Sequence, residues 1–383
     1  MKILHVCSYY ITSKLYKNLV EKLEEEGFYN EVYIPINSQS FENKYIWKKS
    51  DKTNYIYSNC FNKIDRVSFN LKNNKIYSDL NEKVDLDSID VVHAHSLFVN
   101  GYVAYKLKRD KNIDYIVAVR NTDVNTFFKK MIHLRKLGID ILKNAKKIIF
   151  ISSRYQDFVI DNYIPEHLKE EIKQKSIVVP NGIDEFWFNN LELEPKIIKK
   201  NNIKLIYVGK LDKNKNIRTS IEVINKLNKM GYNATLDIVG DGPEFTKLKE
   251  LENRAEYKNK ITLYGYMEKE DIMNLYRKND IFIMPSKYET FGLVYIEAIT
   301  QGLPVIYTRG QGFDGYFDEG TVGYGVKYDD EEEITDSILK IFEKEIWNFK
   351  DIEEELKGSF DWKNVALEYK KIYCDIKNSD SVL

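Results

Sequence analysis

Two glutamates stand eight positions apart in "MPSKYETFGLVYIEAITQGLPVI", residues 284–306. Glu289 precedes an apolar segment that the pattern predicts to be a helix, and Glu297 lies inside that segment. A carboxylate there belongs either to a solvated helix side or to a pocket that holds hydroxyl groups. Because a carboxylate accepts hydrogen bonds from paired donors, the second interpretation predicts a sugar site. Glu289 could then reach a hexose and Glu297 a ribose.

Glycines and lysines follow other predicted strands of the same half of the chain. Gly209 ends one strand and is followed by Lys210 and Lys215, and Gly240 ends the next strand. Glycine lets the backbone approach a ligand, and the free N–H groups of a helix start favour anionic oxygens. Two lysines could neutralise a diphosphate without a metal. A tight turn would explain any one of these features, but together they favour a phosphate site.

Strands and helices alternate along the whole chain, which predicts an α/β fold with parallel sheets covered on both faces. A longer helical segment is predicted over about 126–146. The predicted strands are "KILHVCS", "DVVHAHS", "YIVAVRNT", "KIIFISS", "SIVVPNGID", "KLIYVGK", "ATLDIVG", "ITLYGY", "IFIMPS" and "PVIYT". Ligands of such doubly wound sheets lie outside the carboxyl ends of the strands.

A chain of 383 residues predicts more than one domain. The polar stretch "NNLELEPKIIKKNN" interrupts the alternation, so we expect a Rossmann-like acceptor domain over 1–195. A Rossmann-like donor domain is expected over 196–358. Residues 359–383 contain a last helix that stands apart from the second sheet.

The segment around the two glutamates closely resembles the E-x7-E signature of glycosyltransferase family four. "VVPNGID", "YVGKLDKNKN", "IVGDGP", "LYGYMEKEDIMNLYRKNDIFIMPS" and "FDWKNVALEYKKIY" resemble further blocks of that family, in its order and spacing. The resemblance covers nearly the whole chain. It implies the GT-B fold, in which two Rossmann-like domains face each other across a cleft and the last helix packs back on the first domain.

The resemblance also implies an activity. Members are retaining, metal-independent glycosyltransferases that take a sugar from a nucleoside diphosphate and need no cofactor. The acceptor would be a saccharide or a lipid-linked molecule, and bacterial surface polysaccharide assembly is the implied setting. Two alternatives stay open: a catalytically silent subunit that binds sugar nucleotides, and a GT-B enzyme of different chemistry, such as an epimerase or phosphorylase.

Roles in donor binding carry over by position. Lys210 and Lys215 match the basic pair at the diphosphate, and Glu289 matches the acid that contacts the transferred sugar. Glu297 matches the ribose ligand. The remaining implied donor residues contribute mainly backbone, near the strand tips, the nucleobase and the phosphates: Gly209, Gly240, Tyr266, Met267, Thr290, Phe291, Gly292 and Leu293.

The first domain departs from the family pattern. Its first loop, "SYYITSK", lacks the usual Gly-Gly pair, so Tyr9, Tyr10 or Thr12 is expected to line the acceptor pocket. Arg120 occupies the place where many members have a histidine. Because arginine stays protonated, it cannot be a general base. With Asp123 it could pin a phosphate or a sugar hydroxyl, or the two could form a structural pair.

Two further motifs resemble metal sites without completing one. His93 and His95 point to one face of a strand, but the sequence shows no further ligand set at a suitable place. His95 is therefore expected to line the cleft. The "DLD" of residues 85–87 precedes a strand instead of following one, so we interpret it as chance. No metal is predicted.

Charge is distributed unevenly, although the net charge of −1 excludes a nucleic-acid binder on charge alone. Seven basic residues lie within 127–147: Lys129, Lys130, Arg135, Lys136, Lys143, Lys146 and Lys147. They form either a solvated face or a peripheral contact with anionic membrane. Three widely separated cysteines and the lack of a long apolar run predict a cytoplasmic protein. A peripheral membrane contact would place it at the cytoplasmic face of the membrane.

Overall fold

A computed structural model describes residues 1–46, 50–198 and 202–380, with side chains to residue 378. The chain forms two compact units. The first contains residues 1–151, 155–182 and the segment from 362 onward, and the second contains 152–154 and 183–361. The division therefore falls after Gly182, whereas the sequence predicted it after residue 195. Residues 199–201 of the predicted boundary stretch, and 381–383 of the last segment, lie outside the described residues.

The position of the division has a physical reason. The Ile183 N–H donates to the carbonyl of Phe360 over 2.9 Å, within the second unit. Four residues later, the buried Trp187 packs on Tyr276 with ring centroids 5.7 Å apart. Residues 183–189 are therefore fastened to the second unit before the polar stretch begins.

The strands of the described chain are β1 Lys2–Val6, β2 Tyr29–Pro35, β3 Thr53–Ser58, β4 Val91–Ala94, β5 Tyr115–Ala118, β6 Lys147–Phe150, β7 Ser176–Val178, β8 Lys196–Ile197, β9 Asn202–Val208, β10 Asn233–Val239, β11 Ile261–Gly265, β12 Ile281–Ile283, β13 Val305–Thr308, β14 Gly323–Val326 and β15 Ile346–Trp347. The α-helices are α1 Leu15–Glu25, α2 Phe69–Lys83, α3 Val99–Lys111, α4 Arg135–Asn144, α5 Ser153–Tyr163, α6 Glu166–Lys175, α7 Glu185–Asn189, α8 Ile217–Lys229, α9 Phe245–Glu252, α10 Lys269–Lys278, α11 Leu293–Thr300, α12 Glu331–Glu343, α13 Glu353–Phe360 and α14 Trp362–Asp380.

The first unit is built on a parallel sheet in the order β3-β2-β1-β4-β5-β6-β7. Its strands are buried on both faces because helices cover each side, as the near-continuous apolar runs predict. Helix α14 packs against α1, and its Trp362, Tyr369 and Tyr373 join a core cluster with β1 and β4 residues. The last helix is thus part of the first unit.

The second unit has its own parallel sheet, in the order β11-β10-β9-β12-β13-β14. The chain moves outward from β9 to β11 and then returns across β9 to β12. The sheet therefore has a switch point between β9 and β12, where open α/β sheets bind ligands. A separate antiparallel pair, β8 with β15, lies outside this sheet.

The predicted α/β class with two Rossmann-like sheets is confirmed, and each predicted strand overlaps an observed one. The predicted helical segment over about 126–146 is helical over most of its length but is not one α-helix. Residues 123–128 are π-helical, residues 132–134 form a 3-10 turn, and α4 runs from Arg135 to Asn144. Among the described residues, no helix is long and apolar enough to span a membrane.

Candidate functional site

A lysine and a glutamate meet at the edge of the second sheet, in the loops that follow its two central strands. Strands β9 and β12 are parallel neighbours, so the loops that follow them leave the same edge. Lys215 comes from the first loop and Glu289 from the second, and their side chains form an ion pair. Only 21% of the lysine side chain and 13% of the glutamate side chain are exposed. Limited solvent access strengthens the attraction between the two charges.

Hydrogen bonds hold the two loops together beside this pair. The Asn214 side chain donates to the Tyr288 carbonyl over 2.8 Å and accepts from the Tyr288 N–H at 3.2 Å. The Lys287 N–H donates to the Asn214 carbonyl at 2.8 Å. The Asp212 carboxylate accepts from the N–H of Lys215 at 3.2 Å. Lys215 and Glu289 are therefore positioned by backbone contacts and not by their own attraction alone.

A third segment supports Glu289 from the other side. The Glu289 N–H donates to Gln311 Oε1 at 2.9 Å, and its carbonyl accepts from the Gly312 N–H at 3.0 Å. A Cβ atom on Gly312 would lie 1.6 Å from the carbonyl oxygen of Thr290. Only a glycine at 312 allows the two backbones to pass this closely.

Helix α11 begins at Leu293, four residues after Glu289, and its first turn lies at the same edge of the sheet. Gly292 has a φ of +85° and precedes the helix, and a Cβ atom there would meet the Tyr295 ring at 2.5 Å. The buried Phe291 side chain packs against Phe313, Tyr316 and Phe360, which fixes the turn. The N–H groups of a first helical turn have no intrahelical acceptors and can bind an anion.

Glu297 lies in the second turn of α11 and is more shielded than a surface carboxylate. Burial raises its pKa to about 7, the nearby Asp184 raises the pKa further, and a hydrogen bond with the Trp187 side chain opposes the shift. Both neighbours belong to the segment from 183 to 189 that separates the two units along the chain. At neutral pH this group can therefore accept a hydrogen bond when ionised and donate one when protonated.

Glu297→Gln is expected to change how stability depends on pH. The folded protein binds the Glu297 proton more tightly than the unfolded chain, in which the pKa is about 4.5. Ionisation between pH 4.5 and 7 therefore destabilises the wild type, by up to about 3 kcal/mol. We expect the variant to gain stability relative to wild type as pH rises through this window, in urea unfolding at pH 4.5 and 8. The exposed Glu250→Gln is the matched control. Parallel curves for Glu297→Gln and wild type would contradict a raised pKa of Glu297.

The other predicted donor residues occupy the neighbouring strand ends. Lys210 is exposed, and its Nζ lies 3.6 Å from Asp212. Gly209 and Gly240 are in backbone contact, since a Cβ atom on Gly240 would lie 1.9 Å from the Gly209 oxygen. The glycine at 240 thus serves strand packing whatever it does for a ligand. Further along the edge, the loop after β11 carries Tyr266, whose side chain is 75% exposed, and Met267.

In the first unit, Asp123 is committed to the backbone. Its carboxylate accepts from the N–H groups of Leu97 at 3.0 Å, Phe98 at 3.1 Å and Arg120 at 2.8 Å. The side chain is 1% exposed, and burial raises its pKa to about 6. Asp123 therefore contacts the main chain of Arg120, not its guanidinium. These contacts favour the structural interpretation of Asp123.

The side chain of Arg120, unlike that of Asp123, does not use all of its hydrogen-bonding groups. Its Nη1 lies 3.4 Å from Asn181 Oδ1, and its guanidinium also bonds Tyr369. Its Nε is buried and has no hydrogen-bond partner among the described residues. A buried donor without an acceptor is costly and suits a site that awaits a ligand oxygen. Arg120 stays a candidate ligand-binding residue.

Asp123→Ala is expected to destabilise the protein by about 2–4 kcal/mol, because three N–H groups lose their acceptor inside the core. Arg120→Ala should cost less stability but lower turnover. Chemical unfolding and turnover measured on both variants separate these effects, with the exposed Asp157→Ala as the control. An Asp123→Ala protein as stable as wild type would show that these three hydrogen bonds do not stabilise the fold.

The three predicted acceptor residues of the first loop differ in how far they are exposed to solvent. Tyr10 is fully buried in a cluster with Cys7 and Val20, and its hydroxyl donates to the Tyr45 carbonyl at 3.4 Å. The expectation that Tyr10 lines the acceptor pocket is therefore not met, because its side chain has no exposed surface. Tyr9 is half-buried and bonds Thr122. Thr12 is exposed, and its Oγ1 donates to the Tyr9 carbonyl at 2.6 Å.

His95 is also fully buried, within a chain of histidines that the sequence did not predict. His5 Nδ1 lies 3.0 Å from His95 Nε2, and its Nε2 lies 3.1 Å from Asn30. The His93 ring stacks on His95 at 3.8 Å and bonds the Tyr373 hydroxyl at 2.7 Å. Burial lowers the pKa of all three rings, so they are neutral. His95 therefore has no exposed surface with which to line a cleft.

The three histidines also offer nitrogens within 4.8 Å of one another, the spacing of a metal site. The sequence had lacked a third ligand, and His5 supplies it from β1. However, a 3.0 Å separation between His5 and His95 is that of a shared hydrogen bond, and two nitrogens on a tetrahedral zinc are farther apart. The polar contacts account for part of this cluster, since His93 Nε2 and His95 Nδ1 are buried without a hydrogen-bond partner among the described residues.

Comparison with known proteins finds a family match in the second unit. Residues 190–356, most of that unit, match the family model described as glycosyl transferases group 1. Over this part of the chain, the protein is similar to the group 1 glycosyltransferases. The match spans the Lys215 loop, the Glu289 loop and α11, so the strand-edge site lies within the matched region.

Individual relatives extend the similarity of this glycosyltransferase to both units. An uncharacterized glycosyltransferase of Methanocaldococcus jannaschii is 24% identical over 94% of this chain and 93% of its own. The structure of sucrose-phosphate synthase from Thermosynechococcus elongatus is similar with a TM-score of 0.78 and 18% identity, covering 99% and 100% of the two chains. Anabaena HepE, solved with UDP and glucose, has a TM-score of 0.68 and 16% identity, covering 97% and 99%. These structures share the GT-B fold.

Several residues of the site escaped the sequence analysis. Gln311 and Gly312 hold Glu289, and Asn214 joins the two loops. Gly312, within "TRGQGFDG", indicates an unusual turn, but the sequence does not show that this turn contacts the Glu289 loop. Trp187, beside Glu297, follows the segment "SIVVPNGID" by three residues, and no sequence signal linked it to Glu297.

Proposed function

We propose that this glycosyltransferase transfers a sugar from a nucleoside diphosphate to a saccharide or lipid-linked acceptor, with retention of configuration and without a metal. The observation that carries the proposal is the partly buried Lys215–Glu289 ion pair, four residues before the first residue of α11. One member of the pair suits phosphate and the other suits sugar hydroxyls.

The donor is proposed to lie along the strand ends with its diphosphate at Lys215 and the N–H groups of Gly292 and Leu293. Lys210, which is exposed, would supply a second positive charge. The sugar then contacts Glu289, the ribose contacts Glu297, and the base lies on the main chain near Tyr266 and Met267. HepE, with UDP and glucose in its solved structure, is a protein of similar fold that holds both parts of such a donor.

The ion pair suggests how the site changes when donor binds. In the free protein Lys215 and Glu289 neutralise each other. A diphosphate competes for the lysine, which leaves the carboxylate free to accept from the hydroxyls of the sugar. In the donor complex the sugar hydroxyls would then satisfy the hydrogen-bonding capacity of the Glu289 carboxylate in place of the lysine.

The proposed reaction breaks the bond between the anomeric carbon and the diphosphate oxygen. The acceptor hydroxyl oxygen forms the new bond from the same face, and its proton passes to the departing phosphate oxygen. Negative charge accumulates on the leaving diphosphate, so Lys215 and the α11 N–H groups stabilise the transition state more than the ground state. In this mechanism Glu289 orients the sugar and is not the nucleophile.

The acceptor side is proposed to involve Arg120 and Tyr9 of the first unit, and the setting is bacterial surface polysaccharide assembly. A lipid-linked acceptor would bring the protein to the cytoplasmic membrane face through residues 127–147. Lys130, Lys136 and Lys143 are exposed there. Lys146 pairs with Asp114 at 3.0 Å, and Arg135 Nε donates to the Phe128 carbonyl at 2.7 Å. Those two residues thus serve the fold, and the exposed lysines are the candidates for lipid contact.

A panel of nucleotide sugars tests this function by thermal shift. A donor present at about 100 times its Kd should add roughly 2.7 kcal/mol of stability. The donor so identified is then incubated with candidate acceptors, and the anomeric configuration of the product is read by NMR. An inverted product would overturn retention, while full activity after exhaustive chelation would support metal independence.

The outcomes separate the alternatives. Absence of a shift with any nucleotide sugar would overturn the donor site. Binding without turnover on any acceptor would favour a silent binding subunit. Conversion of the donor sugar with no acceptor present would favour an epimerase.

A further inference from the structure

Three apolar side chains of the first unit, those of Ile64, Val67 and Leu71, are exposed to solvent and are called the apolar stripe below. The acidic Asp65, which lies among them in the sequence, is buried. Residues 64–67 form a 3-10 helix and α2 begins at Phe69. Ile64 is 79% exposed, Val67 90% and Leu71 51%, whereas Asp65 between them is only 4% exposed. Ile64 and Val67 are three residues apart in the 3-10 helix and therefore share one side of it. Leu71 lies in the first turn of α2, after Ser68, whose extended backbone separates the two helices. This arrangement reverses the usual distribution of apolar and charged side chains.

The stripe stands on a rigid base. Asp65 pairs with Lys75 at 2.8 Å and accepts from the Asn62 N–H at 2.9 Å. The Asn62 side chain accepts from the Ile64 N–H at 2.9 Å, and Ser68 caps α2 by accepting from the Leu71 N–H. The apolar side chains are thus held outward by a hydrogen-bonded turn.

The exposed aliphatic surface of this unit is concentrated on two segments that touch. Among its described residues, the exposed large aliphatic side chains are those of the stripe and Ile132, which is 63% exposed. Phe69 at the start of α2 contacts Phe127 with ring centroids 5.8 Å apart. The stripe therefore lies on the same side of the unit as the basic segment that contains Ile132.

The surroundings of these apolar residues are positively charged. Lys63 and Arg66 are exposed beside the stripe, and Lys130 and Lys136 are exposed around Ile132. Residues 127–136 contain no acid, and the single acid within 61–75 is the buried Asp65. An apolar ridge rimmed by cations matches an interface of acyl chains beneath anionic head groups.

We propose that Ile64, Val67 and Leu71 insert into an anionic membrane while the surrounding lysines and arginine bind its head groups. This inference deepens the proposed membrane contact of residues 127–147 and rests on it. It adds a hydrophobic component, supplied by residues 64–71. Charge alone gives weak, salt-sensitive binding, and apolar insertion together with charge gives stable attachment.

Sedimentation of the full chain with vesicles tests the surface. Wild type is expected to bind vesicles that contain phosphatidylglycerol and to stay in solution with phosphatidylcholine alone. The triple variant Ile64→Gln, Val67→Thr, Leu71→Gln should bind the anionic vesicles about tenfold more weakly or worse. The control variant Ile197→Thr, Met230→Gln removes exposed apolar residues of the second unit and should bind like wild type.

Insertion itself is read from Val67→Trp. Lipids brominated on their acyl chains should quench this tryptophan, while a tryptophan placed at Met230 should stay unquenched. Lys130→Glu with Lys136→Glu reports the electrostatic part. Salt-sensitive binding that the triple variant leaves unchanged, with no quenching at 67, would overturn insertion and leave the electrostatic contact standing.

Two other results would also overturn the inference. Absence of wild-type binding to any vesicle removes both membrane proposals, while turnover with a soluble acceptor would still support glycosyl transfer. A dimer of the wild type that the triple variant converts to a monomer, in size-exclusion chromatography without lipid, would identify the stripe as a protein interface.

Discussion

Glu289→Gln is expected to lower sugar transfer by about a hundred to a thousandfold, the usual effect of removing one preorganised group from an active site. Lys215→Ala should lower it by at least as much. The reason is that each variant deletes one half of the partly buried ion pair at the strand edge. Initial rates with a saturating donor, measured beside far-UV circular dichroism and thermal melts, check both activity and fold.

The two variants should have opposite effects on binding of the nucleoside diphosphate product. Glu289→Gln releases Lys215 from its partner, so the diphosphate no longer competes with a carboxylate and should bind as tightly as before or more tightly. Lys215→Ala removes the cation and should weaken binding. The exposed Glu270→Gln on α10 is a matched control. Full transfer activity in either site variant would remove this pair from the catalytic site.

Gly240→Ala is expected to destabilise the protein by roughly 3–5 kcal/mol, enough to prevent stable folding of many domains. The added methyl group would lie 1.9 Å from the Gly209 carbonyl oxygen. The φ of +137° is also unfavourable for any residue with a Cβ atom. The strand ends of β9 and β10 would have to separate. Urea unfolding of the purified variant measures the loss.

Gly358→Ala is the control for this substitution. Gly358 lies within α13, and a Cβ atom there meets no heavy atom within 4 Å. Alanine favours helix over glycine by about 1 kcal/mol, so this variant should be as stable as wild type or more so. If Gly240→Ala unfolds at the urea concentration of wild type, the close contact between the strand ends is not a constraint.

Local pattern was sufficient for the elements that enclose the donor site. The strands β9, β10, β11, β12 and β13 each follow from a short apolar run between turn residues. The start of α11 follows from the glycine before an apolar segment. Glu289 and Glu297 lie within one loop and one helix, so their proximity to the same helix start is a local property of the sequence.

Contacts between distant segments could not be predicted in this way. Strands β2, β3 and β14 were missed, since "YNEVYIP", "TNYIYS" and "GYGV" mix polar or glycine residues into their apolar runs. The histidine chain joins β1 to β4 and to α14, with His93 and Tyr373 separated by 280 positions. Burial of Tyr10 depends on packing against β2 and β3, neither of which was predicted.

The sequence by itself determined the α/β alternation, the strand ends with their glycines and lysines, and the pair of glutamates around α11. Only the tertiary structure decided that Lys215 reaches Glu289, 74 positions away, because the order β9-β12 follows from sheet assembly and not from alternation. It also decided that Asp123 is used by three backbone N–H groups while Arg120 keeps a free Nε. Hydrogen bonding and desolvation depend on which groups meet in space, and residue spacing carries that information only within one element.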